Sequence, residues 1–162
     1  MHKIEEVNRL LAELSAGYQQ DTQVLNQDNH CHFQINNETA IDICWNEPMQ
    51  MLVILIAIEK IDTRDTQLLN ELLKSNYFWQ ASFGTTLSLS QDDKSLWMID
   101  RVPLEYFPQA DEFIAYIKHL INGANHCKER IAQQPNSTEL DRKTTIQDAP
   151  LPPVMNLNHI KI

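Results

Sequence analysis

The sequence predicts an α+β fold on a twisted antiparallel sheet, with elements in the order α-β-β-β-α-β-β-α. Three observations carry this prediction. Some segments place apolar residues at every second position, or in one short unbroken run. Other segments repeat them at spacings of three and four. The strand-like segments also cluster in hairpin groups joined by short turns instead of alternating with helices, which selects an antiparallel sheet with its helices set apart.

The first helix spans His2 to about Ala16. Ile4, Val7, Leu11 and Leu14 form its apolar stripe, Leu10 widens it, and Glu5, Glu6, Arg9 and Glu13 take the other face. Gly17 is placed as its stop. Val24-Leu25 then leads through the turn-like Gln27-Asp28-Asn29 into a strand in which Cys31, Phe33 and Ile35 alternate with His30, His32 and Gln34. Asn36-Asn37 is read as a turn. Ile41, Ile43 and Trp45 alternate in the next strand, Pro48 breaks it, and Met51 to Ile58 forms a third, buried one.

A second helix is expected from a cap at Asp62 or Thr63 to about Tyr77-Phe78-Trp79, with Leu68, Leu69, Leu72 and Leu73 as its stripe. Strands over Ser82–Ser90 and Ser95–Val102 follow, joined by the turn Gln91-Asp92-Asp93-Lys94. The last helix runs from about Pro108, a residue suited to a first helical position, to Ile131. Phe113, Ile114, Ile117, Leu120, Ile121, Ala124 and Ile131 line its core face.

Composition narrows the function. The chain has 162 residues, 43% of them hydrophobic, which is enough for one well-filled domain. Its formal net charge of -9 repels phosphate backbones and anionic lipid, so nucleic acid and membrane are poor partners. With only 3 glycines there is no Gly-rich phosphate loop. Cys31, Cys44 and Cys127 are an odd number at no repeating spacing, which suits a reducing compartment. Met1–Glu13 lacks the apolar stretch of a signal peptide, and Met51–Ile58 is far shorter than the roughly 20 residues of a membrane span.

The chemistry-bearing residues carry no catalytic or metal pattern. His30-Cys31-His32, Cys44 and His126-Cys127 lack ligand spacing, and on a strand Cys31 points away from the two histidines. There is no G-x-S-x-G, and Cys127 reads as an inert helical thiol. Glu5-Glu6 and Asp111-Glu112 fit first helical turns, Asp92-Asp93 fits a turn, and Asp42 is read as facing solvent. What remains is apolar surplus: Trp45, Trp79, Trp97, Tyr77, Phe78, Met49 and Met51 sit at strand ends and junctions, as on surfaces that bind extended peptides. A five-stranded sheet has two faces, and three helices of this length hardly cover both, so self-association is expected.

Domains follow from composition. Residues 1–132 form the folded body. Residues 133–162 form an extension, flexible or docked, that holds Pro135, Pro150, Pro152 and Pro153 and balances three basic residues against three acidic ones. It ends in the apolar Val154, Met155, Leu157, Ile160 and Ile162, which suit a docked segment standing in for a client.

Several segments, in this order, resemble the class I type III secretion chaperones, the Tir-chaperone (CesT-like) family. They are Val7-Asn8-Arg9-Leu10-Leu11-Ala12-Glu13-Leu14, Cys31-His32-Phe33-Gln34-Ile35-Asn36, Leu69 to Asn76, Phe83-Gly84-Thr85-Thr86-Leu87-Ser88-Leu89 and Arg101-Val102-Pro103-Leu104. The family's Gly-Leu-Pro after the first helix is replaced by Gly17-Tyr18-Gln19. The resemblance implies a bacterial, cytoplasmic homodimer that holds the N-terminal segment of a secreted effector in extended form, with no cofactor and no catalysis. It implies dimer contacts at Leu69, Leu72, Leu73, Trp97, Met98 and Ile99. Effector grooves would form around Leu10, Leu11, Leu14, Val24, Phe33, Ile35 and Trp45. Two alternatives stand beside it: a relative that sequesters a transcriptional regulator of the secretion genes, suggested by the stretch Val7–Glu13, and a metal protein or enzyme on the same sheet.

Overall fold

The computed structural model describes residues 2–35, 39–79, 81–90 and 94–133. The turns read at Asn36-Asn37 and Gln91-Asp92-Asp93, and the extension after residue 133, lie outside the described residues. The elements are α1 (His2–Gly17), β1 (His30–Ile35), β2 (Thr39–Asn46), β3 (Met51–Lys60), α2 (Thr66–Ser75), β4 (Thr86–Leu89), β5 (Ser95–Pro103) and α3 (Ala110–Ala132), with 3₁₀ turns at Tyr77–Trp79 and Leu104–Tyr106. This is the predicted order.

The strands form one antiparallel sheet ordered β1-β2-β3-β5-β4, so β1 and β4 are its edges. Alternation gives the sheet two unlike faces. On one, Cys31, Phe33 and Ile35, then Ile41, Ile43 and Trp45, then Leu52, Ile54 and Ile56, then Leu96, Met98 and Val102 are all buried. The helices close this face with Val7, Leu10, Leu11 and Leu14 from α1 and Phe113, Ile117, Leu120 and Ala124 from α3. Burying one such side chain is worth about 1.5–3 kcal/mol, so this single cluster holds the fold together. On the opposite face Cys44, Val53, Leu55, Ala57, Trp97 and Ile99 are only half-buried. A register shift between Ala57 and Glu59 leaves Ile58 out of the pairing, yet it stays buried in line with Leu52, Ile54 and Ile56.

Local chemistry moves several boundaries. The first helix ends at Gly17 as expected, but the glycine does not make the closure. Gln20 N–H bonds the Ser15 carbonyl and Gln19 N–H that of Ala16, with Gln19 at φ 55°. This is a Schellman closure with glutamine in the left-handed position. Val24-Leu25 forms no strand. Leu25 N–H instead bonds Asn8 Oδ1 at 2.9 Å, and Gln23 N–H bonds Ser15 Oγ at 3.0 Å, so α1 carries this segment on two side chains.

The cap of α2 is Asp65, whose carboxylate accepts from Leu68 N–H at 2.9 Å, and the helix starts later than predicted. Asp62 grips Arg64 through its side chain at 2.8 Å instead, which lowers the Asp62 pKa to about 2. The expected strand over Ser82–Ser90 shortens to β4. Before it, Ser82 and Thr85 hydroxyls bond each other's carbonyls at 2.6 and 2.5 Å, closing a turn with Gly84 at φ 83°. Pro108 precedes the α3 cap residue Gln109, whose N–H bonds the Glu112 carboxylate, so it sits just outside the helix rather than in its first turn.

Candidate protein-docking surface

The surfaces that two helices leave uncovered are apolar. α2 lies beside the edge strand β4, and Leu69, Leu72, Leu73, Asn76, Leu87, Ser88, Leu89 and Leu96 line a groove of about 370 Å³ between them. Its outer lip is Leu73, 69% exposed. Directly after Asn76 in the chain come Tyr77, Phe78 and Trp79, which are 75%, 70% and 54% exposed. Phe78 and Trp79 hold φ of 57° and 54°, a left-handed backbone that costs an L-residue about 1–2 kcal/mol. The chain thus holds a strained turn in which three aromatic rings face water. The half-buried sheet face with Val53, Leu55, Trp97 and Ile99 is the second such surface. A third hollow, about 340 Å³, lies among Lys3, Met49, Gln50, Met51, Pro103, Leu104 and Glu105.

The dimer residues read from the resemblance split by parity. Leu69, Leu72, Leu73, Trp97 and Ile99 reach these surfaces, whereas Met98 faces the helices and is 1% exposed. That corrects Met98: strand alternation puts it in the core.

Most of the expected effector residues lie in the core of the protomer. Leu10, Leu11, Leu14, Phe33, Ile35 and Trp45 are buried between sheet and helices and offer no surface in this arrangement. Val24 alone of that set is exposed. It lies in the segment running beside the edge strand β1, held there by Gln20 Nε2 donating to the Gln34 carbonyl at 2.7 Å and Asn26 N–H donating to the His30 carbonyl at 2.8 Å. The Trp45 indole N–H is buried without a partner among the described residues, an arrangement that costs about 1–3 kcal/mol.

The polar clusters have structural partners. Asp42 does not simply face solvent: its Oδ1 holds His30 Nε2 at 2.9 Å and His32 Nδ1 at 2.8 Å on the open face of β1 and β2. Cys31 points to the other face, where burial and the Asp42 charge push its thiol up to about 11. Burial raises Cys127 too. Among the described residues no group of three or more His, Cys, Asp or Glu is arranged to hold a metal ion, and no helix is long and apolar enough to cross a membrane.

Sequence reading missed Asp100. It lies in β5 on the helix-facing side, opposite Ile54, and accepts a hydrogen bond from the Tyr116 hydroxyl of α3. An acid at an inward parity within an apolar strand was the available signal.

The protein is a small α+β body that buries one sheet face under helices and leaves apolar surface elsewhere. The Tir chaperone protein (CesT) family matches residues 9–128, and the chain belongs to that family. A search of curated proteins gives no match. Among solved structures the fold is similar to a chain of the ExsC–ExsE complex, with TM-score 0.70, 15% identity, and coverage of 78% of this chain and 93% of that one. It is also similar to a chain of the HopA1–SchA chaperone–effector complex, with TM-score 0.63, 16% identity, and coverage of 80% and 98%. A third is the Yersinia pestis type III secretion chaperone SycH in complex with a fragment of YscM2, with TM-score 0.57, 17% identity, and coverage of 74% and 98%.

Proposed function

We propose that the protein is a cytosolic bacterial type III secretion chaperone. It acts as a non-enzymatic homodimer that holds the N-terminal segment of a secreted effector extended, soluble and ready for export. The observation that carries this reading is the uncovered apolar surface on a body of this family. The α2–β4 groove, the aromatic turn after it and the open sheet face together offer apolar surface for a partner to cover.

The two surfaces divide the work. Leu69, Leu72 and Leu73 of α2, with Trp97 and Ile99 of β5, form the contact with a second copy. The client lies along the β1 edge, near Val24, and over the neighbouring sheet face. Extended chains bind sheet edges through main-chain hydrogen bonds and seat alternate side chains in apolar hollows. Release of the Gln20–Asn26 segment, which is held by bonds to β1 and α1, opens that edge. The β4 edge is closed by Asn76. The net charge of -9 keeps so apolar a surface in solution.

The test is co-expression with each secreted effector encoded alongside the chain, followed by limited proteolysis of the purified complex. A protected N-terminal effector segment of extended, unfolded character supports the reading. Effectors that are equally degraded with and without the protein overturn it.

A further inference from the structure

We propose that the apolar segment Val154–Ile162 docks in cis in the α2–β4 groove of a free protomer, and that a second copy must displace it to use that groove. Three observations point there.

The first is position. The last turn of α3 packs on the inner side of the same elements: Arg130 and Ile131 share a cleft with Leu72 and Leu87, and both of those leucines also line the groove. Arg130 ties this end down through the Ala81 carbonyl at 3.3 Å and Ser75 Oγ at 3.5 Å. The chain after Gln133 therefore starts beside the groove. The 20 residues 134–153 give a typical reach of about 25 Å, which spans the width of α2 with slack.

The second is chemistry. The groove lining is leucine apart from Asn76 and Ser88. Val154, Met155, Leu157, Ile160 and Ile162 supply branched and flexible apolar side chains to fill it.

The third is charge. Residues 149–162 contain no acid and carry Lys161, whereas all of the net charge of -9 resides in residues 1–132. This segment therefore escapes the repulsion that another acidic body meets. Tethering raises its local concentration to the millimolar range, so even weak docking fills the groove.

The competition with a second copy rests on the dimer proposed above; the docking itself does not. The full chain is compared with the full chain carrying Leu157→Ser and Ile160→Ser, changes outside the folded core. Hydrogen exchange of residues 66–76 and 86–89 is followed over a dilution series, with the molar mass of each sample. Docking predicts exchange about tenfold slower in the unsubstituted protein at dilutions where both proteins are monomeric, matching a groove about nine-tenths occupied. It also predicts that the substituted protein dimerises at about hundredfold lower concentration, because each of the two protomers must free its groove. Equal exchange in the two proteins would overturn the proposal. So would protection that dilution removes, which would make another copy the occupant. If neither protein dimerises, slower exchange in the unsubstituted chain still supports docking.

Discussion

Asn76 stands in for a neighbouring strand at Leu87. Its Oδ1 accepts from Leu87 N–H at 2.8 Å and its Nδ2 donates to the Leu87 carbonyl at 3.1 Å, so one side chain satisfies both main-chain groups of a residue on the sheet edge. An unpaired edge recruits other strands, and this contact blunts it while fixing the end of α2 to β4. Asn76→Ala should cost about 1–3 kcal/mol, because both groups at Leu87 lose their partner. Asn76→Asp should recover part of that, since it keeps the acceptor and loses the donor. Urea midpoints, with exchange of the Leu87 amide, measure both effects. An Ala variant as stable as the parent would mean that the contact contributes nothing.

Gly123 is a second fixed point. A Cβ there would meet Phe83 Cγ at 3.0 Å and Phe83 Cβ at 3.2 Å, and the Phe83 ring sits edge-on to His119 and His126 along α3. Those atoms lie next to a backbone already at φ 57° and have little room to yield. Gly→Ala within a helix ordinarily gains about 1 kcal/mol. Here overpacking of about 1–3 kcal/mol should win, so Gly123→Ala lowers the thermal midpoint. With Phe83→Ala already present, the same change should become stabilising. A stabilising effect in the parent background would show that the turn is soft.

Tyr116 gives the fold an alkaline limit. Burial, then its hydrogen bond to the Asp100 carboxylate, push the phenol pKa above its usual value of 10.0. A group whose pKa rises on folding stabilises fully below its unfolded value, and that stability is lost as pH climbs toward the folded value. Stability should therefore decline above about pH 10. Tyr116→Phe should remove that part of the decline and cost about 1.5–3 kcal/mol at neutral pH, the worth of a bond to a charged acceptor. Parallel alkaline profiles for the two proteins would contradict this.

The thiols should be slow. Cys31 is held at about 11, Cys44 is raised by burial and Asp42, and Cys127 by burial. The thiolate is the reactive form, so a colorimetric thiol reagent at pH 8 should find no fast cysteine in the native protein and all three after unfolding. A fast native thiol would place one of them at a surface.

Element order and the shared face of Cys31, Phe33 and Ile35, and of Ile41, Ile43 and Trp45, were legible because alternation is a local property of the chain, whereas the unbroken run Met51–Ile58 did not show that Ile54 faces the helices. Parity within Trp97-Met98-Ile99 was not, since all three are apolar and only the helices decide which face is covered. For the same reason Leu10, Leu11 and Leu14 read equally well as groove and as core until α1 and α3 closed over them. Caps were misplaced where two candidates competed: Asp62 took Arg64, leaving Asp65 to bond Leu68. Gln19 took the left-handed position two residues after the available glycine, because the hydrogen-bond closure to Ser15 and Ala16 outweighed glycine's freedom. The inward parity of Asp100 was a local signal, but its partner Tyr116 lies 16 residues on in another element, and no local pattern names it.

The most direct test of the proposed function is the molar mass of the purified protein by light scattering, alone and with the N-terminal segment of a secreted effector. A dimer of 18.8 kDa chains that gains one client chain, and that Leu73→Glu reduces to monomer, is the predicted result. An 18.8 kDa monomer that gains nothing from any effector segment would contradict it.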